Sequence, residues 1–207
     1  MKLSAWLVRF GTAVACCTGG CALFSKSAPI TPQYFSPERP DDVVPSPAER
    51  PDLLAELRLG RVVSVGNLEE MLVFRDSASE LGYFRLRRWT EAPEQYVRRR
   101  LARVLFEERG LREVMGGGGP TLDVQLTAFE EVLSPTRRAR VQMVVRLHDE
   151  RLVRWEETIT VEEPVIVAVA GDPAVAAIGT ALRAAVVLIA DRVVRELEVS
   201  PSARMAR

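Results

Sequence analysis

Apolar and polar residues alternate with a period of two through the second half of this chain. Leu122, Val124 and Leu126 take turns with Asp123, Gln125 and Thr127. Ala139, Val141, Met143, Val145 and Leu147 then alternate with mostly polar neighbours, and Val153, Trp155, Ile159 and Val161 do the same. Such alternation is the mark of strands with one face on a core and one in water. The connections "SPT" and "DE" are short, so the three strands predict an antiparallel meander. Upstream, "LAELRLGRVVSV" predicts a strand through Val65, closed by Gly66 and Asn67. A hairpin follows, with strands at 72–75 and 81–87 around "SASE".

Two stretches change to helical spacing. Val97, Leu101, Val104 and Leu105 form one stripe among arginines and glutamates, and Gly110 ends it. Val175, Ile178, Leu182, Ala185, Val186, Ile189 and Val193 form the other, opened by Asp172 as N-cap and Pro173 as first helical residue. Asp172, Arg183 and Asp191 break this second run below membrane-spanning length, so it reads as a core helix. The order βββ-α-βββ-α predicts an α+β two-layer sandwich, a mainly antiparallel sheet of about six strands with two helices.

The first 51 residues differ from this body. Lys2 and Arg9 precede an uncharged run from Phe10 to Ser25, and the three cysteines, Cys16, Cys17 and Cys21, sit within it. This is the pattern of a secretory signal. Thr18-Gly19-Gly20 before Cys21 resembles a bacterial lipobox, with Cys21 as the acylated first residue of the mature chain; Ala13-Val14-Ala15-Cys16 is the competing site. Residues 22–51 carry seven of the 13 prolines, which favours extended polyproline geometry and predicts a tether. Within it, Gln33-Tyr34-Phe35 is an aromatic run able to add a strand. The predicted organisation is a signal peptide over 1–20, a lipidated N-terminus and tether over 21–51, a domain over 52–198 and a disordered tail over 199–207.

Composition removes several functions. The chain of 207 residues balances 28 basic with 28 acidic side chains, so no global field attracts nucleic acid. Once Cys21 is acylated the mature chain holds no thiol, and a disulfide scaffold is excluded. His148 is the only histidine; alternation puts it on the polar face of its strand, as a solvated residue. Soft-ligand zinc sites and a Cys-His pair are therefore excluded. The tetraglycine 116–119 lacks the lysine of a phosphate loop and reads as a linker. Glu130 and Glu131, like Glu156 and Glu157, are adjacent on strands and point to opposite faces, so neither pair is a glycosidase dyad. Trp89, just before a helix, is expected to pack the strand-helix corner. These residues predict no enzyme, no cofactor and no metal.

The ordered set of a lipobox, Tyr34-Phe35, "EEMLVFRDSASELGYFRLRRWTEAP", an arginine-rich helix ending "LREVM", then "LDVQLTAFEEV", "ARVQMVVRLHD" and a closing Ala/Val helix resembles the ABC-type transport auxiliary lipoprotein family, the PqiC-like components of MCE lipid-transport systems. The resemblance covers most of residues 53–197. It implies a periplasmic domain lipid-anchored at the outer membrane through Cys21, partnered by an MCE-domain protein and inner-membrane ABC transporter components that move phospholipid, and able to form a homo-oligomeric ring. Where the family begins with two aromatics, any residue and Leu, this chain has Tyr34-Phe35-Ser36-Pro37. The alternative from the same features is a stand-alone envelope assembly or scaffold lipoprotein.

Overall fold

The computed structural model describes residues 31–38, 55–116, 119–167 and 171–198. Eight strands, β1 (Gln33–Phe35), β2 (Glu56–Ser64), β3 (Met71–Arg75), β4 (Leu81–Trp89), β5 (Arg112–Glu113), β6 (Thr121–Val132), β7 (Arg138–His148) and β8 (Val153–Pro164), join one mixed sheet. Helix α1 (Pro93–Ala102) follows β4 and widens into a π-helical turn over Arg103–Glu108; helix α2 (Pro173–Glu198) closes the fold. Gly110, at φ 68°, takes the left-handed backbone that ends the first helical stretch.

The meander and the hairpin form as the alternation predicts. β6 pairs antiparallel with β7 over its whole length, β7 with β8, and β3 with β4. The architecture is α+β, but the predicted two-layer sandwich with about six mainly antiparallel strands is corrected to an eight-stranded mixed sheet. Four pairings are parallel: β1 with β4, β2 with β5, and both β2 and β3 with β6. The physical reason lies in β6. Its twelve residues outrun either partner, so one edge is shared end to end: Thr121 to Leu126 pair with β2, and Glu130 to Val132 pair with β3. The stretch through α1 is a crossover long enough to bring the chain back in the same direction, which is what parallel pairing needs. β1 and β5 are the two strands added to the count, and β1 is the one that the Gln33-Tyr34-Phe35 run foreshadows.

Pairs run straight across the sheet. Leu81, Arg75, Val132, Arg138 and Pro164 are successive partners on β4, β3, β6, β7 and β8, and they mark one end of it. The core lies on the face where Leu122, Val124, Leu126 and Phe129 meet Leu147, Val145, Met143 and Val141. A bulge between Leu126 and Ala128 shifts the alternation by one, which turns Phe129 rather than Ala128 inward. α2 crosses β6, β7 and β8 on this face. Every residue of its predicted stripe is buried, as are Val97, Leu101, Val104 and Leu105 of the first helical stretch. By length and composition α2 would suffice to cross a membrane, yet 61% of its apolar window is buried within the fold. Trp89 fills the strand-helix corner expected of it: it is buried, 5.1 Å from Phe129 and 6.2 Å from Tyr96 between ring centres.

Candidate interaction surfaces

The N-terminal strand is fastened to the domain by several different contacts. The Thr90 amide donates to the Phe35 carbonyl at 3.0 Å. The Arg87 guanidinium lies over two aromatic rings, 4.4 Å from the Phe84 centre and 5.5 Å from that of Phe35, a cation-π arrangement strengthened by partial desolvation. The same guanidinium pairs with Asp172 and stands 3.6 Å from buried Glu131. Asp172 is also the N-cap of α2, as its sequence position predicts: its Oδ1 accepts from the Ala174 and Val175 amides at 3.0 and 3.2 Å. One arginine thus links β1, the sheet and the start of the core helix.

Past β1, Pro37 is buried and its carbonyl oxygen lies so close to Gly179 of α2 that a Cβ there would overlap it. Glycine is needed for close approach of two backbones, although mid-helix it costs conformational entropy. Glu38 then accepts from Arg99 at 2.7 Å, and Glu91 takes the same guanidinium at 2.6 Å. Hydrogen bonds to these two carboxylates, Glu91 first, raise the Arg99 pKa above the ordinary arginine value. Beneath Arg99, the Tyr96 hydroxyl shares a 2.7 Å hydrogen bond with Thr90 Oγ1, and burial pushes the Tyr96 pKa up.

The other face of the sheet carries rungs of polar pairs. Gln142 donates to Thr160 at 2.9 Å, Arg138 to Glu162 at 2.9 Å and Arg146 to Glu156 at 2.6 Å. His148 stands on this face as expected, but only partly exposed, with Nε2 3.3 Å from Asp123. Asp149, beside it, accepts from the Arg151 and Leu152 amides and from Arg154, which hold its pKa below the ordinary aspartate value. Glu130 and Glu131 do point to opposite faces. Their deep burial, at 1% exposure each, is what alternation alone does not reveal. Glu130 accepts from Arg75 Nε at 2.8 Å and Arg140 Nε at 3.0 Å, while Glu131 accepts from Arg137 Nε at 2.8 Å. Glu130 is held by arginines on the two strands flanking β6, and Glu131 by Arg137 just before β7 with Arg87 of β4 3.6 Å away; such pairing is the condition under which burial of charge is tolerated. The signal in the sequence was the arginine count of the paired strands, legible only with the register in hand.

Several large apolar side chains are exposed among the described residues. Met115 follows β5, Ile166 and Val167 follow β8 at one end of the sheet, Leu152 and Val153 lie at the β7–β8 turn at the other, and Leu188 borders a shallow groove on α2 with half-buried Val194, Arg109, Asp191 and Arg195. Among the described residues, no group of three or more His, Cys, Asp or Glu side chains is placed to hold a metal ion. Cys21, its competitor Cys16, the signal peptide, most of the tether and the tail over 199–207 lie outside the described residues.

No protein-family model and no curated protein matches the chain. Solved structures do share its fold. Protein XCC0632 from Xanthomonas campestris, described under the family name DUF330, is 17% identical with a TM-score of 0.65, over 79% of this chain and 96% of that one. A second structure, described as an uncharacterized protein, is 15% identical with a TM-score of 0.61, over 79% of this chain and 99% of the other.

Proposed function

We propose that this protein is a non-enzymatic, lipid-anchored auxiliary component of an MCE/ABC-type lipid-transport system, similar to the PqiC-like lipoproteins. The observation that carries the reading is the junction between signal and domain. A cysteine preceded by Thr-Gly-Gly lies in an uncharged N-terminal run, and twelve positions later, after residues 22–32, the chain enters β1, which is bound into the sheet. An anchor followed by a docked strand suits a domain that works at a fixed place beside a membrane. The arginine-glutamate rungs of the open sheet face give polar rather than catalytic surfaces, in keeping with a binding role.

On this reading the lipid is carried by an MCE-domain partner and an inner-membrane ABC transporter. The protein itself sits on the periplasmic face of the outer membrane and assembles with copies of itself. Membrane fractionation of the Cys21→Ala variant tests the anchor: release into the soluble fraction is expected. Unchanged retention, or loss only in Cys16→Ala, would move or remove the assignment. Affinity capture from crosslinked envelopes tests the partners; recovery of no MCE-domain protein or ABC component would overturn the transport role.

A further inference from the structure

We propose that the end of the sheet carrying Ile166 and Val167 rests on the lipid surface to which the chain is anchored, with these two side chains entering the headgroup region. This orientation depends on the anchoring read above and adds to it the surface of contact. The first observation is the loop after β8. The Val165 amide donates to the Arg137 carbonyl at 3.2 Å, which fixes the loop at the Arg75–Val132–Arg138–Pro164 end of the sheet. Val165 packs against the core, but Ile166 and Val167 turn outward at 57% and 75% exposure. No charge interrupts Pro164 to Val167. Moving such a side chain from water to an apolar phase is favourable, so two adjacent ones make an insertion point.

The second observation is the direction of β1. It runs parallel to β4 with Gln33 opposite Arg87, so its N-terminal end points toward Leu81, in the same row as Arg75, Val132 and Pro164. Because Phe35, Pro37 and Glu38 are tied down, the anchor-to-domain span is residues 22–32 rather than the whole proline-rich stretch. Eleven residues reach at most about 40 Å when fully extended. The chain therefore enters the domain, on a short lead, from the end that bears the apolar pair. The opposite end also exposes an apolar pair, Leu152 at 69% and Val153 at 55%. There, however, Asp149, Glu150 and Arg151 directly precede the pair and Arg154 directly follows it, and charges resist transfer into an apolar phase.

The test uses the full lipidated chain on vesicles of phosphatidylethanolamine and phosphatidylglycerol, with single cysteines at Val167, Ser134 or Leu152 carrying an environment-sensitive fluorophore. Cys21 is acylated and Cys16 and Cys17 are removed with the signal, so labelling is selective. Nitroxide-headgroup lipid is expected to quench the Val167 and Ser134 labels several-fold more than the Leu152 label. The Ile166→Asp, Val167→Asp double variant is expected to float with the vesicles yet lose the Ser134 quenching. Solvent-like emission at Val167 in a chain that floats overturns the orientation and leaves the anchor standing. A wild-type chain that does not float overturns the anchor, and this proposal falls with it.

Discussion

The two edges of β6 show two ways of building one sheet. Along one edge, β7 and β8 follow in sequence order, joined by short turns, in long antiparallel ladders with one bulge each and paired side chains in the open. Along the other, β2 and β3 share the edge end to end, in parallel, and the nearby partners come from distant parts of the chain. The meander needs little beyond alternation to set its register, because a one-residue slip would turn its whole apolar set to water. On the non-local side β6 pairs with only five positions of β2 and three of β3. That side is held instead by particular side chains: buried Trp89, Glu130 and Glu131, and half-buried Arg87. Truncating those should therefore cost far more than truncating the ladder rungs of the meander.

The largest effect is expected at Trp89→Ala. Its ring joins β4 to α1 and β6 through Tyr96 and Phe129, and removing a fully buried aromatic typically costs about 3–5 kcal/mol. Denaturant melts should show that loss without a change in slope. Next comes Glu130→Ala, about 3 kcal/mol by the usual cost of breaking a buried ion pair, because Arg75 and Arg140 both lose their carboxylate. Glu130→Leu with both arginines retained should be no better; recovery of wild-type stability there would show that shape, not charge, holds β3 to β6.

A smaller change has an informative sign. Gly→Ala inside a helix ordinarily stabilises by up to about 1 kcal/mol. At Gly179 the added methyl would meet the Pro37 carbonyl, so Gly179→Ala is expected to destabilise by about 1 kcal/mol or to push the β1 segment away. Faster hydrogen exchange at the Thr90 amide, which donates to Phe35, would report the second outcome. A stabilised variant with unchanged exchange would mean that the contact between Pro37 and α2 contributes nothing.

What the sequence revealed follows the same division. The meander, the hairpin, the Asp172 cap and both helical stripes depend on periods and end signals within about a dozen residues, and these are written locally. The parallel pairings depend on which distant segment reaches the shared edge of β6, and no local pattern encodes that. β5, two residues long, has no periodicity to read. The glutamates were visible as adjacent residues, but their burial depends on Arg75, Arg140 and Arg137 arriving from three different positions in the chain. Alternation places a carboxylate on a face; only the fold decides whether that face at that point is wet.

The weakest expected effect lies in the exposed rungs of the meander and sharpens the contrast by pH. Arg146, through its hydrogen bond and charge, holds Glu156 below the ordinary glutamate value of 4.5. The Arg151 and Leu152 amides, with Arg154, hold Asp149 below the ordinary aspartate value of 3.8. A carboxylate whose folded pKa is depressed contributes stability that is present above its unfolded value and is lost as pH falls through the folded one. The contribution from these groups should thus be intact at pH 6 and decline below about pH 4.5 for Glu156 and below about pH 3.8 for Asp149. Both groups are open to solvent, where ion pairs are weak and screened by salt. Glu156→Gln is accordingly expected to shift the thermal midpoint at pH 6 by little more than measurement error, to flatten the acid limb slightly, and to lose even that difference in 1 M salt. A large loss at pH 6 that persists in salt would place Glu156 in the same class as Glu130 and erase the distinction between the two edges of β6.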